Sequence, residues 1–524
     1  MPEYKSPGVY IEEHNTGPRP IEGVGTACAA FVGFAGNGPL NQPKLITNWS
    51  QYVETFCERE NGHHKLSFQI PMKGRKDKMV DTYLSHAVYG FFRNGGGRCY
   101  VARVGDYSLG TRIGLQIPKG DDATALTIHP LDGVKQDLKI EIAAPEGENT
   151  PPGSFTMIVT SEGEGGHSVE RYENVLPRES GENSVLTQVR SRSQLIAVEV
   201  VATQGAIAQR TPKAGIYMLN PTAREIEVQT ADFIGEASVR TGIEGLEVAE
   251  EVTMLCCPDV MSAHQAGYLD EDSVLQVQKA MITHCDLMKD RVAILDTPPN
   301  VIKPQEVWNW RMSAGFNSKF AALYYPWISV TGSNGQLIEM PPSGHIAGIY
   351  ARSDNERGVH KAPANEPVRD AVKAALQLTK GEQDILNPDG INCIRTFPGQ
   401  GVMVWGARTL SQDAAWRYIN VRRLFNFVEK SIERGTQWVV FEPNDHDLWA
   451  RVRRDVSAFL TGVWRSGALF GRKPEEAFYV KCDEELNPES SRNEGKLIIE
   501  IGLAPVKPAE FVIFRLSQFS GGGA

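Results

Sequence analysis

The chain has few of the short signatures by which enzymes are read from sequence. No G-x-x-x-x-G-K-[ST] stretch occurs, so a P-loop has no footing, and G-x-S-x-G and H-E-x-x-H are equally absent. No C-x-x-C occurs among the eight cysteines. Several of them lie in apolar surroundings, as free thiols in a reducing cytosol do. No stretch of about 18 strongly apolar residues is present. The best attempt, "FAALYYPWISVTGSNGQLI" from Phe320, is broken by Pro, Gly, Asn and Gln, so direct membrane insertion is not expected. Met1 to Thr16 contains no apolar h-region and hence no visible secretory signal. Basic charge does not dominate: Lys and Arg number 54 against 64 Asp and Glu, a net charge of −10. A nucleic-acid partner would call for a basic domain or stripe, and none is expected here. The reading is of a soluble chain made in the cytoplasm, without a disulfide framework, cofactor or metal.

The remaining fragments of chemistry each have a plainer explanation. "GVGTACAAFVGFAG" has the look of a dinucleotide loop, but Gly23 and Gly25 precede the apolar run instead of following a strand, and position 28 is Cys. Cys57, His63 and His64 lie in a polar, turn-rich segment that reads as a surface loop. Cys256 and Cys257 are neighbours on an apolar strand and face opposite ways, so they cannot share a site. Asp259 and Asp296 sit near strand ends, where α/β folds place ligands, but no second convergent element accompanies them. "NWS" at Asn48 matches a glycosylation acceptor without an export signal to support it.

Periodicity divides the rest. The fold class expected is α+β / α/β multidomain, with a core domain assembled from N- and C-terminal parts around inserted domains. Residues 1–20 form an N-terminal linker arm, and 21–105 the first part of the core. Over 106–215 short strands succeed one another between Gly, Pro and acidic residues, which indicates an inserted β-rich outer domain. Over 216–345 strands alternate with helices, as in an α/β domain. Residues 346–503 return to the core, with helices in "DAAWRYINVRRLFNFVEKSIERG" and "NDHDLWARVRRDVSAFLTGVWRSGAL" and a strand in "QWVVFEP" between them. The second helix carries Leu448, Val452, Val456, Phe459, Leu460, Val463 and Trp464 near a 3.6-residue spacing, with Asn444 or Asp445 as cap. Residues 504–524 form a C-terminal arm.

Two features at the chain ends and one near the end stand out. In "SPGVYIEEHNTGPRP", Val9 and Ile11 lie on one side of an extended strand and Tyr10 and Glu12 on the other. Gly17, Pro18 and Pro20 leash this strand away from the core domain. On periodicity alone an ordinary local edge strand is the better reading. Phe511, Val512, Ile513 and Phe514 head a second strand after Pro505 and Pro508. Arg451, Arg454 and Arg465, with Arg422 and Arg423 in second place, put basic groups on helices of an acidic protein. Such groups form either a solvated face or a docking surface for an acidic partner.

Several stretches together resemble the contractile tail sheath protein family of bacteriophages and phage-tail-like injection systems. They are "SPGVYIEE", "GVGTACAAFVGFAGNGPLNQPKLITNWSQYVETF", "YGFFRNGGGRCYVARV", "GVHKAPAN", "LNPDGINCIRTFPGQGVMVWGARTL", "YINVRRLFNFVEKSI", "FEPND…LWARVRRDVSAFLTGVWRSGAL" and "GLAPVKPAEFVIFRL". They run in family order over about the first hundred and the last 180 residues.

The resemblance implies a structural subunit, not an enzyme. It would be a homo-oligomer of six-fold rings stacked into a helical sheath around an inner tube protein, with baseplate and terminal cap proteins at the ends. Val9–Glu12 and Phe511–Phe514 would be intersubunit arms that add strands to a neighbour's sheet. Residues 1 to 20, fully extended, span roughly 65 Å at ~3.3 Å each, enough to reach a neighbour. The arginines would face the tube. The alternatives are a two-component sheath like that of type VI secretion, a non-contractile scaffold polymer, and a cytosolic α/β enzyme using Asp259 or Asp296.

Overall fold

A computed structural model of the chain describes residues 20–515 apart from 61–62, 67, 106–113, 121–122, 132–133, 135–136, 148–149, 164–165, 202–205, 220–227 and 333–334. Two compact units result, Met1–Gly105 with Val228–Ala524, and Asp106–Glu227.

The first unit is built on a nine-stranded sheet. "CAAFVG" forms the strand Cys28–Gly33, buried at every position, as a strand covered on both faces must be. It runs parallel to Arg98–Arg103 on one side and to Met254–Cys256 on the other. Val292–Asp296, Ala321–Tyr325 and Ile391–Phe397 continue the parallel series. The hairpin to Gly401–Val404 and the short strand Glu366–Pro367 close one edge in antiparallel fashion. The strands Met254–Cys256, Val292–Asp296 and Ala321–Tyr325 therefore lie between those of 21–105 and 346–503 in a single sheet, rather than closing a sheet of their own. All eight cysteines are free and buried.

Two helices cross at glycines against this sheet. A Cβ added at Gly344 would lie 2.4 Å from the Ala87 carbonyl oxygen, and one at Gly348 would lie 2.5 Å from that of Phe91. The helices Leu84–Arg93 and Ser343–Arg357 approach backbone to backbone only because those side chains are missing.

A second apolar cluster joins the helices Ile419–Gly435 and His446–Arg465 to the hairpin of Phe478–Lys481 and Glu500–Leu503. Leu448, Val452, Val456, Leu460 and Val463 are buried along the second helix, and Phe459 and Trp464 are packed partly against the cluster. Asp445 is the cap, its carboxylate accepting from Leu448 N at 2.8 Å.

The sequence misleads in three places. "QWVVFEP" forms no strand. A single 3₁₀ turn, Gln437–Val439, leads to Phe441, which has φ 68° and is fully exposed. Among the described residues no strand pairs with it, so β-branched residues alone did not make a strand. The run "KFAALYYPWISV" is two strands, because Pro326 has no N–H to continue the ladder. Ile328–Thr331 instead pairs with Leu337–Met340 and Ala371–Ala374. The supposed loop after Cys57 carries two antiparallel pairings, Glu58–Glu60 with His63–Lys65 and Gln69–Met72 with Arg75–Asp81.

The second unit is antiparallel throughout its described strand pairings. Leu138–Ala143 alternates buried and half-buried residues and sits between Phe155–Gly163 and Gly215–Leu219. A three-stranded sheet of Leu115–Pro118, Thr124–Pro130 and Ile196–Val200 shares its core through Leu126, Ile128, Ile140, Met157 and Val159.

Candidate functional site

Asp259 and Asp296, the residues an enzyme would need, are both occupied in holding helix ends. Asp259 is fully buried and accepts from the backbone N–H groups of Phe34 and Leu84 at 2.7 and 3.2 Å, and from the Ser262 hydroxyl at 3.0 Å. It also accepts from Tyr83 N, so it ties down the start of Leu84–Arg93. Asp296 accepts from Ser343 N at 2.9 Å, at the start of the helix Ser343–Arg357. Burial raises their carboxyls to about 6 and about 7, against the donors that favour the anion. Exposed N–H groups at helix starts need such acceptors. Among the described residues no group of three or more His, Cys, Asp or Glu is placed to hold a metal. Asn48 is the cap of Trp49–Phe56, accepting from Gln51 N at 2.9 Å.

Arg422 and Arg423 are corrected by the structure: neither is on the subunit surface. Arg422 is 2% exposed, pairs with Glu429 at 3.0 Å and with Asn426 at 2.7 Å, and lies over the rings of Phe320 and Trp416. Arg423 is 3% exposed and forms a two-pronged pair with Asp354 at 2.8 and 2.6 Å. The paired arginines face inward because the first turns of their helix are covered on nearly all sides.

The other three arginines share an outward face. Arg451, Arg454 and Arg465 are exposed, along with Ala450, Ala458 and Gly462, so the stripe carries charge between small residues. Arg451 lies 3.5 Å from Glu442 and over the Trp438 ring, and Arg454 bonds Asp455 at 3.0 Å.

The base of the N-terminal arm is fastened to the helix Ile419–Gly435. Ile21 is buried in its apolar cluster, and Val24 N donates to the Ser431 hydroxyl at 3.1 Å. The Thr26 hydroxyl donates to Asp354 at 2.6 Å, while Arg423 donates to the Thr26 carbonyl at 3.0 Å. Val9, Tyr10, Ile11 and Glu12 lie outside the described residues.

The C-terminal arm is fastened at the start of that helix. Val506 N donates to Ala468 O at 3.1 Å, and Asn420 donates to Val506 O at 3.2 Å. Glu510 then accepts two bonds from Arg408 at 2.9 and 2.7 Å, one from Asn387 at 2.7 Å and one from Tyr418 at 2.9 Å. Burial pushes the Glu510 carboxyl up, but the bonds from Arg408, Asn387 and Tyr418 outweigh it and leave the group below the ordinary glutamate range. Immediately beyond, Phe511, Val512, Ile513 and Phe514 are 70–84% exposed and form no strand within the subunit. A groove of ≈ 810 Å³ lies along Val506–Val512, lined also by Lys361, Lys380, Arg395 and Trp405.

Sequence reasoning missed Glu510, Arg408, Asp354 and Asn420. The one available signal was a lone acid between Pro508 and an apolar run, in "PAEFVIF".

Comparison with known proteins gives a consistent result. The family described as "Phage tail sheath protein central domain" matches residues 237–410, and "Phage tail sheath C-terminal domain" matches 411–519. A tail sheath protein of Vibrio phage KVP40 is 31% identical over 33% of this chain, an alignment that spans only 26% of that protein. One from Burkholderia phage BcepMu is 24% identical over 97% of this chain and 95% of its own length. The helical sheath of the anti-feeding prophage in its contracted state superposes with a TM-score of 0.58 at 25% identity, covering 99% of this chain and 100% of the other.

Proposed function

The chain belongs to the phage tail sheath family, and from that premise we propose that it stacks as six-fold rings around an inner tube and shortens to drive the tube through a target envelope. It is a structural subunit of a phage tail or phage-tail-like particle. The observation that supports the contractile reading is the end-to-end match to a sheath solved in its contracted state. That match also favours one chain per sheath subunit over a split, two-component arrangement.

In this reading the inner tube, a baseplate and a terminal cap are the other partners, and assembly takes place in the cytoplasm. Phe511–Phe514 and the segment around Val9–Glu12 are the parts offered to neighbouring copies. Four large apolar side chains held in water are unfavourable in a lone subunit, at about 1.5–3 kcal/mol each relative to burial. Strand addition covers them and satisfies the backbone together. The hairpin of Phe478–Lys481 and Glu500–Leu503 has two strands among the described residues, so it offers free edges to receive them.

Removing Met1 to Asn15 should leave a folded monomer that does not polymerise. Negative-stain microscopy of full-length and truncated protein checks this. Striated tubes from the truncated chain would overturn the arm assignment.

A further inference from the structure

Phe441 is unfavourable in the lone subunit on two counts. Its side chain is 103% exposed, so the ring gains nothing from the subunit's own packing. Its backbone has φ 68°, where the Cβ of an L-residue crowds the neighbouring carbonyl and bulky residues are rare. Among the described residues, the other non-glycine positions with positive φ hold Asn, Asp, Arg or Lys. Val440 beside it is also exposed.

The turn that displays this pair is firmly held. Val439 N donates to Thr436 O at 3.0 Å, Val440 N to Gln437 O at 3.3 Å and Glu442 N to Val439 O at 3.1 Å. Asn444 donates to Lys496 O at 2.9 Å and accepts from Trp449 Nε1 at 2.7 Å. Trp438 packs partly against the apolar cluster, with the Arg451 guanidinium 5.2 Å from its ring centroid. An aromatic side chain fixed in water on such a turn has little freedom left to lose on binding, which is how interface anchors are built.

The surroundings indicate what the anchor meets. Arg451 reaches back to Glu442, next to Phe441, at 3.5 Å. The turn therefore stands at the head of the exposed face that carries Arg451, Arg454 and Arg465. From Arg451 to Arg465 that face extends roughly 21 Å at ~1.5 Å per residue. Its complement is an acidic surface with an apolar hollow at one end. We propose that Phe441, with Val440, is the apolar anchor that seats this face on the inner tube, entering a hollow in the tube surface while the arginines meet acidic side chains beyond it. The proposal rests on the arginine face being the one turned to the tube, and it divides the work of that face. The arginines steer the approach and weaken with salt, whereas burial of the ring does not.

The test places the photoreactive analogue benzoylphenylalanine at position 441 of the full-length chain. Particles assembled with the tube protein are irradiated, and the adduct is identified by mass spectrometry. An adduct with the tube protein is expected. An adduct with another sheath copy, or intact particles without any adduct, overturns the anchor and leaves the sheath reading standing. Failure of the wild-type chain to build a sheath on tubes sinks that reading and the anchor with it. Phe441→Gly removes ring and backbone strain together. It should weaken co-sedimentation with tubes about tenfold, at high salt as well as low, while the isolated subunit melts no lower than wild type. Phe441→Ala removes the ring and keeps the strain, and should bind as weakly as Phe441→Gly. A lower melting point in both variants with tube binding retained would make Phe441 a structural residue and overturn the proposal.

Discussion

His345 is 1% exposed, and neither ring nitrogen has a hydrogen-bond partner among the described residues. Gly90 on the facing helix leaves it room, since a Cβ there would lie 2.3 Å from the ring. Burial holds the imidazole down to about 3, and His86 beside it adds to the effect. His86 is itself lowered by burial, with Asp81 and Asp370 opposing. The folded subunit thus refuses a proton that the unfolded chain accepts near the ordinary histidine value. The resulting stability is complete above pH 6.5 and is lost progressively as pH falls toward 3. Asp259 and Asp296 act in the opposite sense. Their raised carboxyls bind protons in the fold first, so acidification through pH 7 to 6 favours the folded state. His345→Met should separate the two contributions. Its denaturant stability should fall less than that of wild type between pH 6.5 and 4, by up to about 3 kcal/mol at pH 4. Parallel curves would show that the ring is not the sensor. Residues of this kind are partly legible in the sequence. Asp259 and Asp296 stand out by position, but their purpose does not, because the N–H groups they accept come from segments up to 225 residues away.

At the scale of elements, helices with a strong apolar stripe can be read directly, and their caps with them. His446–Arg465 starts beside Asp445 because, of the two capping candidates the sequence offers, its carboxylate is the one placed to take Leu448 N. What periodicity cannot report is how many sides of a helix are covered. It makes Arg422 and Arg423 surface groups for that reason, and the structure encloses both. Arg451, Arg454 and Arg465 differ, since their helix buries only one stripe. A partner can approach that face closely, as Ala450, Ala458 and Gly462 project little. Charge reversal at Arg451 and Arg465 should spare the fold, because the Arg451–Glu442 pair is exposed and such pairs contribute only about 0–1 kcal/mol each, whereas Arg454 faces the buried Asp455. Arg451→Glu with Arg465→Glu should therefore leave the melting curve nearly unmoved and weaken co-sedimentation with tube protein more than sheath–sheath association. Equal losses in both would remove the tube assignment.

The whole molecule is stitched from distant stretches, and this is where sequence reading has least purchase. Order along the chain suggests successive domains, yet strands from residues 28–33, 254–256, 292–296, 321–325 and 391–397 lie side by side in one sheet. Parallel neighbours require crossovers, so adjacency in space and adjacency in sequence part company. The Arg408–Glu510 pair has a practical corollary for anyone recombining relatives. The boundary between the two matched family regions falls at 410/411, which puts Arg408 and Asn387 in one exchangeable block and Glu510 and Tyr418 in the other. A natural-looking crossover point therefore cuts through a matched lock. Grafting a relative's residues 411–519 onto this chain should yield soluble but assembly-defective subunits whenever the donor lacks an acid at the position of Glu510. Restoring that single carboxylate should bring back tubes by electron microscopy. Arg423 and Asp354 face each other across the same boundary, so compatibility between halves turns on two largely buried ion pairs, either of which a single foreign side chain can break.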